Sequence, residues 1–563
     1  MKSIERERPE KLRGGYYTPP DIAGWLVRWV AAGQPRRVLE PSAGDGAFLR
    51  MLSAVGVPSL RALSAFELEP AEAALAREAA AALTGVASEV RAADFLDWAE
   101  AALARGERFD AAVGNPPFIR YQFLPEAQQA RAESLIRGLG LPFTRHANAW
   151  VPFVVASLAL LRPGGRLAMV VPAELLHVLH AASVRRFLLE RCARVWVLDP
   201  EELWFEGTLQ GVVLLLAEAK GEGNPPSLAE VGILPVHGRG FLARDPTEVL
   251  TAADPTPGAG LPGKWMRALL GARQRRLLAG LEAQPTVRRF SDLARAEVGI
   301  VTGANDFFLV PEDVVRAYDL SAWAHPMFGR SEHVPGVVFD AEILAENRRA
   351  GHPTHFLWFR DLVPDGLPAG VARYLAQGEA LGLHRRYKCR IRSPWYEVPS
   401  VSSAPVALLK RCHDLPRLVH NRLGAFTTDT AYRVTPRAVD AERLVASFVN
   451  SLTALSAELE GRHYGGGVLE LVPSEIARLL VPTPGEGALD LAGLDAAFRR
   501  KEPAEAILAR RDPSLLGSLG LSPGEREALR EAWAGLRARR RRGGLVEGQY
   551  PRSSSSTLPQ NTR

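Results

Sequence analysis

Cysteine is scarce in this chain of 563 residues, which holds only Cys192, Cys389 and Cys412. The three residues lie far apart and do not have the close spacing of metal ligands. A disulfide framework and a cysteine metal site are therefore not indicated. We interpret the three side chains as reduced or buried thiols of a cytoplasmic protein.

Long apolar runs are absent as well. The longest one, Ala149 to Leu161, is shorter than the ~20 residues that cross a bilayer, and it contains Pro152. The first residues are charged and do not form the apolar core of a signal peptide. Internal repeats are not evident either. The sequence therefore predicts a cytoplasmic protein that has no membrane partner.

The length predicts two or three domains, because a single core stops growing near ~250–300 residues. Hydrophobic residues make up 47% of the chain, which is typical of a globular protein. The formal net charge of +6 and the sequence pI of about 9.3 permit a polyanionic partner without requiring one.

Asn115-Pro116-Pro117-Phe118 is the stretch that first indicates chemistry. It follows a strand-like run that ends at Gly114, and the two prolines hold its backbone extended. At a strand end, the Asn115 side-chain oxygen and the Pro116 carbonyl can accept the hydrogens of an amine on a planar base. Phe118 can stack on that base. The alternative for such a motif on its own is a plain surface turn.

A short strand ending at Glu40 leads into a glycine loop, Ser42 to Gly46, and then into a helix from Ala47. This pattern predicts the first βα turn of a Rossmann-type sheet. The loop lacks the dinucleotide glycine pattern and the lysine of a phosphate-binding loop, so phosphate binding is not indicated. The acidic Glu40 and Asp45 suit an adenosyl ligand that carries an amino acid and a cationic sulfonium.

Two further predicted strands each end at an acidic residue with an apolar neighbour. Glu67 follows the second strand and can bind ribose hydroxyls, with Leu68 covering an adenine face. Asp94 follows the third strand and can accept from an adenine amino group, with Phe95 packing on the ring. The alternative for each carboxylate is a helix N-cap or a solvated turn.

The order of these segments resembles the γ-group adenine-N6 DNA methyltransferases, and most of all the Eco57I-type and TaqI-type enzymes. The match covers residues 14–217 and includes Tyr-Thr-Pro-Pro, Glu-Pro-Ser-Ala-Gly-Asp-Gly, Phe-Glu-Leu-Glu-Pro, Ala-Asp-Phe-Leu, Gly-Asn-Pro-Pro-Phe, Pro-Gly-Gly-Arg-Leu and Phe-Glu-Gly-Thr-Leu-Gln. The resemblance implies a Rossmann-like, mainly parallel α/β domain followed by a mixed α+β target-recognition domain. It also implies S-adenosylmethionine as the methyl donor and a flipped-out adenine of double-stranded DNA as the acceptor.

The resemblance further implies roles for individual residues. The donor would be held by Thr18, Glu40, Ser42, Ala43, Gly44, Glu67, Leu68, Asp94, Phe95 and Pro117. The target base would meet Tyr16, Asn115, Phe118 and Phe205, and the catalytic motif would be Asn115, Pro116, Pro117 and Phe118. Many relatives have tyrosine where this chain has Phe118, but stacking does not need the hydroxyl. We interpret Trp204, beside Phe205, as a core residue.

The predicted domain boundaries follow changes in composition. They give a catalytic domain at 1–250, a linker with connecting helices at 251–285, a target-recognition domain at 286–484, a helical region at 485–545 and a disordered tail at 546–563. Residues 254–263 are rich in proline and glycine, which is typical of a linker. We interpret the arginine run of residues 537–542 as part of a disordered basic tail.

Basic and aromatic residues interleave between His384 and Tyr396. This pattern predicts DNA contacts, with a solvated charged surface as the alternative. The predicted DNA-binding residues are Arg385, Arg386, Lys388, Arg390 and Arg392. A second candidate for a loop near DNA is His463-Tyr464 with the three glycines that follow.

Three other functions fit part of the pattern. Asn-Pro-Pro-Tyr/Phe also occurs in enzymes that methylate protein glutamine or ribosomal RNA, although these usually lack the Tyr-Thr-Pro-Pro segment and a long recognition region. A DNA-binding subunit with a degenerate catalytic site is the second alternative, and the intact motifs argue against it. A fused nuclease is the third. No nuclease motif is evident, so we expect any cognate restriction endonuclease to be a separate chain and this protein to be a monomer.

Overall fold

The computed structural model describes residues 17–119, 121–144, 148–202, 204, 211–223, 227–261, 263–464, 466–483 and 489–541. Tyr16 and Phe205, both predicted to line the pocket of the target base, lie outside these residues.

Nine strands of the described residues form one sheet in the N-terminal half. They are β1 (Arg37–Glu40), β2 (Ala62–Glu67), β3 (Ala87–Ala92), β4 (Phe109–Gly114), β5 (Leu161–Pro172), β6 (Cys192–Pro200), β7 (Val212–Ala219), β8 (Glu230–Val236) and β9 (Pro255–Pro257). Their order across the sheet is β3-β2-β1-β4-β5-β7-β6-β8-β9. The first five strands in that order are parallel, whereas β7 runs antiparallel between β5 and β6.

Helices cover both faces of this sheet. They are α1 (Pro20–Ala31), α2 (Ala47–Val55), α3 (Pro70–Ala81), α4 (Phe95–Ala104), α5 (Glu126–Gly138), α6 (Trp150–Ala159), α7 (Ala182–Arg191) and α8 (Pro246–Leu250). In β5, alternate residues face two different cores, with Leu167 and Met169 on one side and Ala168 and Val170 on the other. A mainly parallel sheet with helices on both faces confirms the predicted Rossmann-like fold.

The C-terminal half is α+β, as predicted. Its strands are β10 (Val287–Arg289), β11 (Ala294–Glu297), β12 (Leu309–Val310), β13 (Ala324–Phe328), β14 (Val338–Phe339), β15 (His355–Leu357), β16 (Val406–Leu409), β17 (Arg411–Cys412), β18 (Leu418–Asn421), β19 (Phe426–Thr427), β20 (Ala431–Pro436), β21 (Arg462–Tyr464), β22 (Val468–Glu470) and β23 (Leu480–Pro482). Within the described residues they form four small sheets, ordered β10-β23, β11-β20-β16-β18-β14, β12-β15-β13-β19 and β17-β22-β21.

The helices of this half lie between and after those strands. They are α9 (Ala272–Glu282), α10 (Phe290–Leu293), α11 (Asn305–Phe308), α12 (Glu312–Ala317), α13 (Ala341–Arg349), α14 (Ala369–Ala380), α15 (Tyr387–Arg390), α16 (Ala441–Phe448), α17 (Ser451–Glu460), α18 (Pro473–Ile476), α19 (Leu491–Arg499), α20 (Ala504–Leu515) and α21 (Pro523–Arg541).

Two hydrophobic cores show how the two halves of the chain are packed. The first, which we call the shared core, begins under the nine-stranded sheet at residues such as Met169 and continues without a break to Trp265, Leu452 and Trp533. The second, which we call the outer core, is a separate cluster between Ile300 and Val398. The catalytic sheet and the C-terminal helices are therefore packed as one body, whereas the outer core lies apart from them.

The structure corrects three interpretations of the C-terminal half. The arginines at 537 and 539–541 belong to α21 rather than to a disordered tail, and Arg540 is buried. His463 lies in β21, where its buried ring stacks on His177 at 4.9 Å, so it is not on a loop exposed to DNA. The proline-rich segment predicted as a linker contains β9, which pairs with β8 at the edge of the large sheet.

No described helix is both long enough and apolar enough to span a membrane.

Candidate functional site

Four residues at the carboxyl ends of neighbouring parallel strands form the frame of the candidate site. Glu40 ends β1, Glu67 ends β2, Asp94 follows β3 and Asn115 follows β4. The chain runs outward from β1 to β3 and then crosses back to β4, so β1 and β4 flank the point where strand order reverses. Ligands of α/β sheets bind at the carboxyl edge of such a switch point.

The loops after β1 and β4 are in direct contact at this switch point. The Ser42 hydroxyl donates a hydrogen bond to the backbone carbonyl of Asn115 at 3.0 Å. Gly114 lets the two loops approach, because an added Cβ would lie only 3.2 Å from the Pro41 ring. The predicted donor loop and the predicted acceptor motif therefore share one crevice.

Glu40 is the most unusual group in the crevice. Its side chain is fully buried, and neither carboxylate oxygen has a hydrogen-bond partner within the part of the chain that the structure describes. Burial raises the pKa of Glu40 well above its ordinary value, and the nearby carboxylates of Asp45 and Glu67 raise it further. An unpaired buried carboxylate is costly to maintain, so this position suits a cationic ligand.

Glu67 holds the glycine loop in place. Its two carboxylate oxygens accept hydrogen bonds from the backbone N–H groups of Gly44 and Glu69, each at 2.9 Å. Each carboxylate oxygen can accept a second bond, so ribose hydroxyls can still be bound. The neighbouring Leu68 is exposed, so its side chain is available to cover an adenine face. Thr18 and Ala43, the other predicted donor contacts near this loop, are buried.

Asp94 is a helix N-cap, which is the alternative role that the sequence allowed for this carboxylate. Its Oδ1 accepts from the backbone N–H of Leu96 at 2.9 Å and so caps the N-terminus of α4. Its Oδ2 lies 3.3 Å from Nη1 of Arg131. The structure places the Phe95 ring in the core against Phe66 and Phe153, so the expected packing of this ring on adenine is not supported.

Phe118 and Trp204 occupy different environments on the acceptor side. Phe118 is half-buried beside Asn115 and packs against the cores of both sheet faces. Trp204 is buried and stacks on Phe241 with ring centroids 5.7 Å apart, which confirms its interpretation as a core residue.

The polar segment after the motif contains α5, and two hydrogen bonds hold the start of this helix. The Tyr121 hydroxyl donates to the carbonyl of Gln129 at 2.6 Å, and the Gln129 amide donates to the carbonyl of Leu124 at 2.8 Å. These bonds fasten the first turns of α5 to the segment that directly follows Phe118.

The predicted DNA-binding cluster separates into four exposed residues and one partly buried residue. Arg385, Arg386, Lys388 and Arg390 are exposed on or beside α15. Arg392 instead donates hydrogen bonds to the carbonyls of Thr302 at 2.7 Å and Val301 at 2.8 Å. Arg392 therefore holds the segment after α15 against the 301–303 loop, and the prediction that it binds DNA is not supported.

Exposed apolar side chains accompany the basic ones on this face. Tyr387 and Ile391 are exposed in the α15 region, and Val301 is exposed in the loop that Arg392 holds. Val298, directly after β11, is exposed as well. Tyr387 and Ile391 belong to the stretch that the sequence predicts to contact DNA, whereas Val298 and Val301 were not among the predicted DNA-binding residues. We call this surface the basic face.

Two family models match the chain in the regions just described. The Eco57I restriction-modification methylase model matches residues 71–203, and the C-terminal domain model of the type II methyltransferase M.Eco57I matches residues 262–516. Together they cover more than half of the sequence. The chain belongs to the Eco57I-type DNA methyltransferases.

Two relatives are similar to this chain over most of their own length. The type II methyltransferase M.XamI of Xanthomonas campestris pv. amaranthicola is 25% identical over 84% of this chain and 85% of its own. M.AccI of Acinetobacter calcoaceticus is 20% identical over 90% of each chain. Among solved structures, the type IIG restriction endonuclease BpuSI aligns over 95% of this chain and 66% of its own, with 14% identity and a TM-score of 0.43.

Three side chains of this methyltransferase bring possible metal ligands within 4.8 Å of one another, namely Glu332, His333 and His352. Nδ1 of His333 accepts a hydrogen bond from the backbone N–H of Gly329 at 3.3 Å. The neutral ring then carries its proton on Nε2, the atom that faces Glu332, and a protonated nitrogen cannot bind a metal ion. The group therefore does not fit a metal site.

Proposed function

We propose that this protein transfers a methyl group from S-adenosylmethionine to N6 of an adenine that is flipped out of double-stranded DNA. We further propose that it acts as a monomer and serves as the modification enzyme of a restriction-modification system whose nuclease is a separate chain. The observation that carries the proposal is the buried carboxylate of Glu40 in the crevice beside the Asn115 loop, which has no hydrogen-bond partner among the described residues.

The residues on the β1–β3 side fit the donor. Glu40 offers a negative charge to the cationic methionine part, and Ser42, Ala43 and Gly44 bring backbone close to it. Glu67 suits the ribose, and the free lone pairs of Asp94 suit the adenine amino group. When bound, S-adenosylmethionine supplies a methyl group on a sulfonium, which is the electrophile of the reaction.

The residues on the β4 side fit the acceptor. The N6 lone pair of adenine is delocalised into the ring and is therefore a poor nucleophile. The Asn115 side-chain oxygen and the Pro116 carbonyl can accept the two N6 hydrogens, which favours a tetrahedral nitrogen and localises its lone pair. Phe118 stacks on the base. In this scheme the chain contributes positioning and charge placement.

The basic face supplies the surface for the DNA backbone. Its exposed arginines and Lys388 suit phosphates, and its exposed apolar residues suit base edges or base steps.

The proposal is tested by expressing the protein in a host that lacks adenine methylation and mapping N6-methyladenine by single-molecule sequencing of the genome. We expect one methylated sequence motif. Asn115→Ala should abolish the modification, because one of the two acceptors for the N6 hydrogens is lost. Phe118→Tyr is the matched control in the same motif and should keep the modification, since stacking is retained.

An unmethylated genome from a soluble protein that binds S-adenosylhomocysteine would contradict the DNA reaction and point to an amine in RNA or protein. Near-full methylation by the Asn115→Ala variant would remove the assigned role of this residue.

A further inference from the structure

Arg131 on α5 bridges two carboxylates at the start of α4. Its Nη1 lies 3.3 Å from Oδ2 of Asp94, and its Nε lies 2.7 Å from Oδ1 of Asp97. The Asp94 side chain is largely buried, whereas Arg131 is half-buried and Asp97 is exposed. Ser134, one turn further along α5, donates to Glu100 at 2.8 Å. Two polar links therefore join α5 to α4, and only the first involves the candidate donor site.

The two oxygens of Asp94 have different partners. Oδ1 accepts from the backbone of α4 and Oδ2 faces Arg131, and each oxygen keeps a second lone pair for the adenine amino group of a donor. A carboxylate oxygen can accept two hydrogen bonds, so Arg131 and an adenine amine can share Oδ2. Arg131 thus helps to fix the direction of the Asp94 carboxylate, which the proposed function assigns to donor recognition.

Arg131 is also connected to the acceptor motif through α5. The hydrogen bond from Tyr121 to Gln129 joins the start of this helix to the segment after Phe118. The backbone N–H of Ala149, just before α6, donates to the carbonyl of Ile119 at 2.7 Å and fixes the other side of that segment. A change in the position of α5 against α4 should therefore shift the segment that follows the Asn115 loop, which is proposed to hold the target base.

We propose that Arg131 is a positioning residue that couples donor binding to the placement of the target-base loop. This inference rests on the proposed function. Because docked α5 holds the Asp94 carboxylate in place for the donor, a donor adenine bound there favours the docked position of α5. Docked α5 in turn holds the Asn115 loop where it can accept the flipped base. Coupling of this kind is reciprocal, so a bound target base also strengthens donor binding.

The test uses the full-length protein and two separate readouts. Calorimetry measures the Kd of S-adenosylhomocysteine, and fluorescence measures extrusion of 2-aminopurine placed at the target position of the methylated motif. In Arg131→Ala we expect the Kd to rise roughly tenfold, and the gain in fluorescence on adding S-adenosylhomocysteine to be lost. kcat should fall as well, because the acceptor loop is no longer placed by the donor.

Two variants separate positioning from simple stabilisation of α5. Ser134→Ala removes the second link without touching Asp94, and it should leave both readouts within about twofold of the native protein. Arg131→Lys keeps the charge, but a single ammonium group does not reproduce the two-sided guanidinium contact, so it should restore donor affinity more than the fluorescence gain.

Native values of Kd and fluorescence gain in Arg131→Ala would overturn the inference while leaving the proposed function intact. Equal effects of Arg131→Ala and Ser134→Ala would likewise overturn it. A native protein that binds no S-adenosylhomocysteine would instead refute the proposed function itself.

Discussion

Arg540→Ala is the substitution in α21 for which the structure predicts a large loss of stability. Arg540 donates to both oxygens of Glu458, at 2.7 and 2.9 Å, and both side chains are completely buried. It also donates to the carbonyls of Gly467 and His413. The adjacent Arg541 pairs with Asp414 at 3.1 Å, but about half of each of those side chains is exposed.

The magnitudes follow from burial. Removal of one partner of a buried pair leaves an uncompensated charge and costs about 3–5 kcal/mol, whereas an exposed pair contributes about 0–1 kcal/mol. Arg540→Ala should therefore lower the free energy of unfolding several times more than Arg541→Ala. Arg540→Met combined with Glu458→Leu should recover part of the loss, because no unpaired charge remains.

Urea unfolding followed by circular dichroism measures the difference. With a slope of about 3 kcal/mol/M, Arg540→Ala should move the midpoint down by roughly 1–2 M, and Arg541→Ala by less than about 0.3 M. Equal shifts for the two neighbouring arginines would refute the assignment of Arg540 to a buried pair.

Three further predictions concern charge. In Glu40→Gln, the binding of S-adenosylhomocysteine measured by calorimetry should weaken at least roughly tenfold. Because the pKa of Glu40 is raised in the donor-free native protein, the free energy of unfolding should fall as pH rises from 4.5 through that pKa. Urea titrations should show that the variant loses this pH dependence. Burial and the neighbouring His352 lower the pKa of His333 to about 4, so stability should fall as pH drops from 6.5 towards 4, and His333→Gln should flatten that part of the curve. Arg386→Ala should reduce the salt dependence of DNA binding by about one unit of log–log slope without loss of thermal stability. Arg392→Ala should instead lower the melting temperature, because its hydrogen bonds to backbone carbonyls are lost. The opposite pattern would contradict the assignment of the two residues.

The catalytic half was predictable because its signals are local. The strand Phe109–Gly114 has the bounds that the apolar run and the terminating glycine predict, and α2 begins at Ala47 after the glycine loop, as expected. The acidic residues at successive strand ends were recognised for the same reason. The role of the Phe95 ring was not, because an aromatic residue after a strand can face either the crevice or the core.

The C-terminal half was less predictable because its decisive contacts span long distances in sequence. Arg539 pairs with Asp199, 340 residues away, at 2.5 Å, and Arg540 pairs with Glu458, 82 residues away. An arginine run usually forms a solvated surface, and nothing local distinguishes this one. Arg392, whose acceptors lie about 90 residues upstream, and Arg131, whose partner Asp94 lies 37 residues upstream, were missed for the same reason.

The separation of the two cores has a consequence for how such an enzyme can diverge. α15, which carries the basic face, contributes Cys389 to the outer core, and Arg392 lies just after this helix. Substitutions of outer-core residues do not alter the hydrophobic cluster that the nine-stranded sheet shares with the C-terminal helices. Under the proposed function, a descendant can therefore change its surface for DNA while inheriting the crevice unchanged. The C-terminal helices have no such freedom, because Trp533 and its neighbours are packed into the same interior as the sheet itself.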